Sequence, residues 1–274
     1  LARNCKVITT CFAGRAIRET PEVCGDPPGL FEHAQVFPDA ESALELLQLV
    51  MEFERSVDPG VPCDTILVNN DTGWARGNRY LADLDGAKTF AGRIRVINRG
   101  NYGTSLGGYN HAYERFADDY DYWTFTEDDI LLTGDRYFER CIAAFNGQPR
   151  TGFVAIQGLS RVPALHAHGG VGTTHASVLA AVRRAWGSLP HMGADEPQTW
   201  MDHTMWGEVM FTQVIDRLGY RVVTVDADAP LYTFAYHHMV QLTGPPLTAP
   251  TRPLLRRVAR RLSVVTRQLA NRVS

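Results

Sequence analysis

Three consecutive acids, Glu127, Asp128 and Asp129, directly follow the apolar-aromatic run 120–125. Carboxylates at the end of a buried strand are costly unless positive charge meets them. A divalent cation carrying a phosphorylated substrate would supply that charge, because hard cations take carboxylate and phosphate oxygens together. Such an ion also neutralises the charge that grows on a departing diphosphate. The plainer alternative is an acidic surface turn. A second group of reactive side chains, His166, His168 and His175, stands in the Gly-rich stretch SRVPALHAHGGVGTTH. His-x-His is a metal-ligand spacing, but no flanking acid pattern of a zinc hydrolase accompanies it.

The elements that must position these residues follow from periodicity. Residues 5–12 (CKVITTCF) form a β-branched apolar run, a buried first strand. Residues 39–57 have helical spacing, with Leu44, Leu47 and Met51 beside Leu46 and Val50 on one face and Asp39 or Ser42 as cap. Strands are expected at 64–70 and 93–98, then a Gly-rich turn, a helix over 105–118 and a fourth strand at 122–126. Strands alternating with helices predict an α/β fold with a mainly parallel sheet covered on both faces. Ligands of such sheets gather at the carboxyl ends of the strands. Four polar ends fall there: Thr9 and Thr10, residues 69–71, residues 98–101, and the three acids. In the second half, helices are expected at 134–146, 176–186 and 206–218, the last stopping at Gly219. Strands are expected at 152–158, 221–225 and 231–236, and a Gly/His-rich loop over 160–175.

The stretch 96–129 sets Asn101, Gly103, Gly107, Gly108, Asn110 and Ala112 ahead of Glu127-Asp128-Asp129. This pattern resembles the nucleotide-sugar half of GT-A-fold glycosyltransferases, family 2 especially. There an Asn-x-Gly…Asn…Ala helix precedes a strand ending in an Asp-x-Asp-type motif; here the first acid is Glu. The resemblance covers roughly residues 4–240 and is strongest over 64–130. It implies a GT-A fold, a Rossmann-like α/β/α sandwich with a mixed, mainly parallel central sheet. One catalytic domain would span 1–244, with the nucleotide-sugar half over 1–130 and the acceptor half over 131–244. It implies transfer of a sugar from a nucleotide sugar, a UDP-sugar first, to a hydroxyl of a glycan, lipid-linked or small-molecule acceptor, with Mn2+ or Mg2+.

The resemblance also assigns roles. Main-chain groups at Thr9, Thr10 and Cys11 and the Asp71 carboxylate would hold base and ribose, although Asp71 is also a turn-former. Arg99 is either a pyrophosphate or base contact or a solvated arginine. Gly107 and Gly108 would let backbone approach the donor, with Asn110 beside them. Glu127 and Asp128 would contact the nucleotide sugar, Asp128 at the ribose or a metal-bound water. Asp129 would bind the metal, joined by His237 or His238, since imidazole can complete a shell of carboxylate and phosphate oxygens. Trp206-Gly207-Glu208 resembles the element that carries the base in inverting enzymes, although Val209 stands where a second acid is usual. Glu208 would take the acceptor proton, with Asp202 as the next candidate; an acid in a first helical turn also simply complements the helix dipole. Without a carboxylate beneath the anomeric carbon, retention replaces inversion.

Composition narrows the alternatives. The chain has 274 residues and a formal net charge of −3, and no run approaches the ~18 apolar residues of a membrane-spanning helix. Five scattered cysteines without CxxC pairing read as free thiols of a reducing compartment. The start LARNCKVITT shows no signal peptide and no initiator Met, so a trimmed chain of cytoplasmic location is expected. A Pro-rich linker (245–253) leads to a tail (254–274). Residues 251–274 hold seven Arg and no acid, which leaves 20 basic against 30 acidic residues in the body. Leu255, Val258, Leu262, Val265 and Leu269 repeat at helical spacing among those arginines, a basic amphipathic helix. It would lie on the inner face of an anionic membrane, or pack on the acidic body or on a second copy. No G-x-G-x-x-G follows the first strand, which argues against a dinucleotide enzyme. A sugar-phosphate nucleotidyltransferase would need a Gly-rich Arg/Lys loop after that strand, where only Ala13-Gly14-Arg15 stands. A His-metal hydrolase on His166, His168 and His175 and a non-catalytic binding module are the remaining alternatives; in a transferase the same stretch would be an acceptor-facing loop in which Gly169-Gly170 gives mobility and close approach.

Overall fold

The computed structural model describes residues 2–12, 39–161, 164–194, 200–225 and 230–235. The expected linker, the basic tail, His237 and His238 lie outside them. Strand β1 (Asn4–Thr10) is buried at every position. It pairs in parallel with β2 (Asp64–Asp71) on one side and β4 (Tyr122–Glu127) on the other, and β3 (Ile94–Gly100) adds in parallel outside β2. Strands buried on both faces need mostly apolar runs, which Cys5, Val7 and Ile8 in β1, interrupted by Lys6, and Ile66, Leu67 and Val68 in β2 supply. Beyond β4 come β9 (Gly172–His175), antiparallel, then β6 (Thr151–Ala155) and β10 (Arg221–Thr224), parallel to each other. The seven-stranded order is β10-β6-β9-β4-β1-β2-β3, the mixed, mainly parallel sheet of the expected α/β sandwich. Two small antiparallel pairs accompany it: β5 (Ile130–Leu132) with β11 (Tyr232–Phe234), and β7 (Leu159–Ser160) with β8 (His166–Ala167).

Helix α1 (Ala40–Ser56) is capped by Asp39, whose Oδ1 accepts from the Ser42 amide at 2.9 Å. It buries Leu44, Leu47 and Met51 with Ile8 and Leu67. Helix α2 (Ala75–Leu84) escapes sequence reading because it has no side-chain cap and buries only Gly77, Leu81 and Leu84. Helix α3 (Thr104–Phe116) packs with Tyr109 stacked on Phe125, ring centroids 4.6 Å apart. Helices α4 (Tyr137–Gly147) and α5 (Ala176–Trp186) fall where periodicity put them.

Three expectations are corrected. The stretch 160–175 is not a loop: it contains β8 and β9, and β9 is an interior strand. Its composition misleads because Gly172 must be small. A Cβ there would lie 2.3 Å from the Val154 carbonyl oxygen. The helix placed at 206–218 begins earlier: α6 (Trp200–His203) passes through a π-helical segment (Thr204–Val209) into α7 (Met210–Arg217). Residues 130–132, assigned no element, form β5.

A buried charge crosses the sheet's covering layer. Lys6 of β1 pairs with Glu54 of α1 and donates to the Tyr137 hydroxyl of α4, while Thr65 donates to Glu54 at 2.9 Å. Burial alone would lower the Lys6 pKa, but Glu54 and Tyr137 outweigh it and hold the ammonium charged. Two helices on one face are thereby fastened to one strand.

Candidate functional site

The carboxyl ends of the four parallel strands finish in register, with Thr9 beside Glu127, Thr10 beside Asn69, Asn69 beside Asn98 and Asp71 beside Gly100. The four polar ends therefore share one edge of the sheet. Asp128 ties two of them together: its amide donates to the Thr9 carbonyl at 3.1 Å, and its Oδ2 accepts from the Thr10 hydroxyl at 2.7 Å and the Cys11 amide at 3.4 Å. Asp71, exposed at the end of β2, accepts from the Gly73 amide at 2.7 Å and Asn78 Nδ2 at 2.9 Å. These bonds, Asn78 first, hold its carboxyl below the ordinary range. Asn69 Nδ2 donates to Asn98 Oδ1 and Asn78 Oδ1, both at 2.9 Å, bracing β2 against β3 and α2.

Arg99 is not a solvated arginine. It is 8% exposed, donates from Nη1 to Asn70 Oδ1 and to the Tyr102 carbonyl, and stacks 4.1 Å from the Tyr102 ring centroid. Gly107 makes room for it, since a Cβ there would stand 2.9 Å from Arg99 Nη2. Gly108 lets α3 press on β1, because its Cβ would meet the Thr9 methyl at 2.5 Å. Asn110 is buried, and its Oδ1 accepts from the Leu189 amide at 2.9 Å. In this structure the close approaches of both glycines are to protein atoms. These residues build the turn and seat the helix that borders the crevice. Gly103 opens that turn with φ +64° and packs under Met192 and His191.

The opposite side of the crevice is built by the 168–170 turn and the π-helical segment. Gly207 brings that segment against α3, where its Cβ would be 3.0 Å from Leu106 Cγ. Glu208 follows, well inside the helix rather than in its first turn, so the dipole argument does not apply to it. π-Helical insertions recur at functional sites. Glu208 Oε2 accepts from the Gly169 amide at 2.7 Å. Part of the side chain stays accessible, yet the protein encloses enough of it that burial raises its pKa to about 7, against the lowering effect of the Gly169 bond.

The two sides meet. Ser105, in the first turn of α3, donates to Glu127 Oε1. Glu127 Oε2 lies 3.5 Å from where a Gly169 Cβ would be, with Gln157 Oε1 at 3.4 Å. The fully buried Tyr109 phenol, beside Thr9 but without hydrogen-bond geometry to it, feels all three acids. Burial first, then Glu127, Asp129 and Glu208, raise its pKa well above the ordinary value. Asp129 is itself buried, and its carbonyl accepts from the Ala235 amide at 2.8 Å, joining the strand end to the region after β11. Among the described residues, no three His, Cys, Asp or Glu side chains gather as a metal site. A cation on Asp129 would therefore take its other ligands from substrate phosphates, water and the 237–238 pair, a donor set that suits Mg2+ or Mn2+.

The three histidines separate. His166 and His168 stack edge to face at 5.3 Å, while His175 caps α5 by accepting from the Ser177 amide at 3.1 Å and packs on Tyr122. The three-His zinc reading has no support here. Sequence reading also missed Ser105, Tyr109, Gln157 and the Gly169 amide. Only the paired glycines 169 and 170, with φ +61° and +62°, left a trace in the sequence.

No family model matches this chain, and no curated protein matches it in sequence. Solved structures with a similar arrangement include a protein from Desulfovibrio desulfuricans assigned as a nucleotide-diphospho-sugar transferase (11% identity, 98% of this chain and 99% of that one, TM-score 0.47). Others are a cytidylyltransferase from Leptospira borgpetersenii (10%, 99% and 97%, TM-score 0.46) and residues 1–349 of TarS from S. aureus (10%, 88% and 64%, TM-score 0.42). At these identities and scores they carry no statement about what this chain does.

Proposed function

We propose that this chain is a GT-A-type glycosyltransferase that moves a sugar from a nucleoside-diphosphate sugar, a UDP-sugar first, to a hydroxyl acceptor with inversion. The observation that carries this reading is the meeting, around Gly169 and Tyr109, of the strand end bearing Glu127 and Asp129 with Glu208, a carboxylate poised near neutral pH. A general base works best with a pKa near the working pH. Thr10, Cys11 and Asp71 would border the base and ribose, and Asp128 sets the spacing of the β1 and β4 ends beneath them. Arg99, Gly107, Gly108 and Asn110 would shape the turn beside the diphosphate, and Glu127 would face the sugar. Mn2+ or Mg2+ held by Asp129, with His237 or His238, would neutralise the departing diphosphate.

Nucleotidyl transfer shares this strand-end chemistry and is the alternative; its products separate it. Calorimetry with UDP and other nucleoside diphosphates should show binding at least about tenfold tighter with Mn2+ than without, the mark of a metal–diphosphate pair. Absence of binding to any nucleoside diphosphate or triphosphate would end the reading. Pyrophosphate release from a nucleoside triphosphate and a sugar phosphate would transfer it to the alternative.

The basic tail extends the proposal to a lipid-linked acceptor at an anionic surface. Each basic residue near such a surface contributes about 1 kcal/mol, against repulsion of the acidic body, and salt weakens both. The full chain should float with anionic vesicles at low salt, and a chain ending near Pro250 should not. If both stay in the soluble fraction, the tail is a packing or self-association element.

A further inference from the structure

We propose that the Gly169 amide is the positioning group for Glu208: it holds Oε2 and thereby leaves Oε1 as the oxygen presented to the acceptor hydroxyl. This rests on the reading of Glu208 as the base. The bond is 2.7 Å long, and Oε1 makes no hydrogen bond among the described residues. The amide points at Glu208 because Gly169 and Gly170 both take left-handed backbone, φ +61° and +62°, which a side chain disfavours. A Cβ at 169 would also crowd Val171 Cγ2 at 3.2 Å, besides the Gln157 and Glu127 oxygens.

The turn and the carboxylate are mounted on one body. Thr212 Oγ1 accepts from the Ala167 amide at 3.0 Å, and Gln213 Nε2 donates to the Leu165 carbonyl at 2.8 Å. Both side chains stand on α7, into which the π-helical segment carrying Glu208 continues. Within the turn, the Val171 amide donates to the His168 carbonyl at 3.0 Å. The helix that carries the carboxylate therefore also holds the segment that presents the amide. A single N–H on a carboxylate oxygen favours the charged form and counters enclosure. Tyr109 on α3 couples to Glu208, and through it Glu127 and Asp129 at the end of β4. The neighbouring elements also carry His166 and His168 beside the turn and Asp202 and His203 on its own helix.

The amide itself reports the bond. His168-Gly169 is the only His-Gly pair in the chain, so labelling His carbonyl carbon with 13C and Gly nitrogen with 15N gives one selected amide signal in the intact protein. In the wild type this signal should move with pH around a midpoint near 7, and in Glu208→Gln that movement should vanish while any movement due to His168 remains. A signal that does not titrate near 7, or that titrates identically in Glu208→Gln, overturns the proposal. Gly169→Ala supplies a second readout. Ala keeps the N–H, but the strain of a side chain at φ +61° should draw the amide off Oε2. Loss of that charge-assisted bond should raise the midpoint of the pH–turnover profile by about one pH unit and cut turnover near pH 7 about fivefold, with recovery at higher pH and donor KM unchanged. A uniform loss at every pH also counts against it. If the amide tracks Glu208 but Glu208→Gln keeps full turnover, the base assignment fails and the positioning bond stands. If Glu208→Gln is inactive and the amide is silent, only the positioning bond fails.

Discussion

Glu208→Gln is expected to cut turnover by roughly two to four orders of magnitude, the usual worth of a general base, while making the protein more stable above neutral pH. Both effects come from one enclosure. Gln keeps the size of the side chain and still accepts the Gly169 amide, but it takes no proton. In the folded chain Glu208 holds its proton up to about pH 7, whereas the ordinary value is 4.5. The folded state therefore binds the extra proton between those values, and stability is lost as pH rises through 7. The full penalty is about 3 kcal/mol, an order-of-magnitude figure from the width of that interval. Wild type and Glu208→Gln should thus unfold alike near pH 4, and the variant should have the higher Tm at pH 8–9. Turnover of the wild type should rise with pH and level off above about 7, and the variant should lack that limb. Equal Tm values at pH 8–9 would show that Glu208 is not enclosed as described. Near-normal turnover in the variant would move the base to Asp202 or the reaction to retention.

Asp129→Ala should abolish the manganese-dependent part of nucleoside-diphosphate binding and leave the fold intact. Asp129 is buried, and it loads the buried Tyr109 phenol together with Glu127 and Glu208. The bond that ties it to the Ala235 amide is to the carbonyl oxygen and survives the substitution. The cation loses its protein anchor, while that main-chain tie to the region after β11 persists. Calorimetry with and without Mn2+, alongside thermal unfolding without metal, separates the two effects. Unchanged metal-dependent binding would remove Asp129 from the site; collapse of the metal-free fold would make it structural.

How much of this was legible in the sequence depends on the range of the interactions. β1, β2, α1, α3, β4 and α5 were readable because burial imposes a local period. A parallel strand covered on both faces must be largely apolar, and an amphipathic helix must repeat its stripe. The clustering of polar strand ends was readable for the same reason: in a parallel sheet, each run that turns polar at its end delivers those residues to the same edge. Elements whose residues were selected by neighbours distant in sequence were not readable. β9 looked like a loop because Gly172 is small for the sake of the Val154 carbonyl. Gly107 and Gly108 looked ligand-facing, yet each is small for Arg99 or Thr9.

The sequence by itself determined the α/β order, the sheet edge that collects the polar ends, and the candidate carboxylates. Tertiary structure alone decided what those carboxylates are. Glu127 and Glu208 stand 81 positions apart in the chain, and only folding sets both beside the Gly169 turn. The environment that raises the Glu208 pKa belongs to no segment of the chain. It is made by enclosure between α3, the 168–170 turn and the π-helical segment, and desolvation exists only once those surfaces have closed around the group.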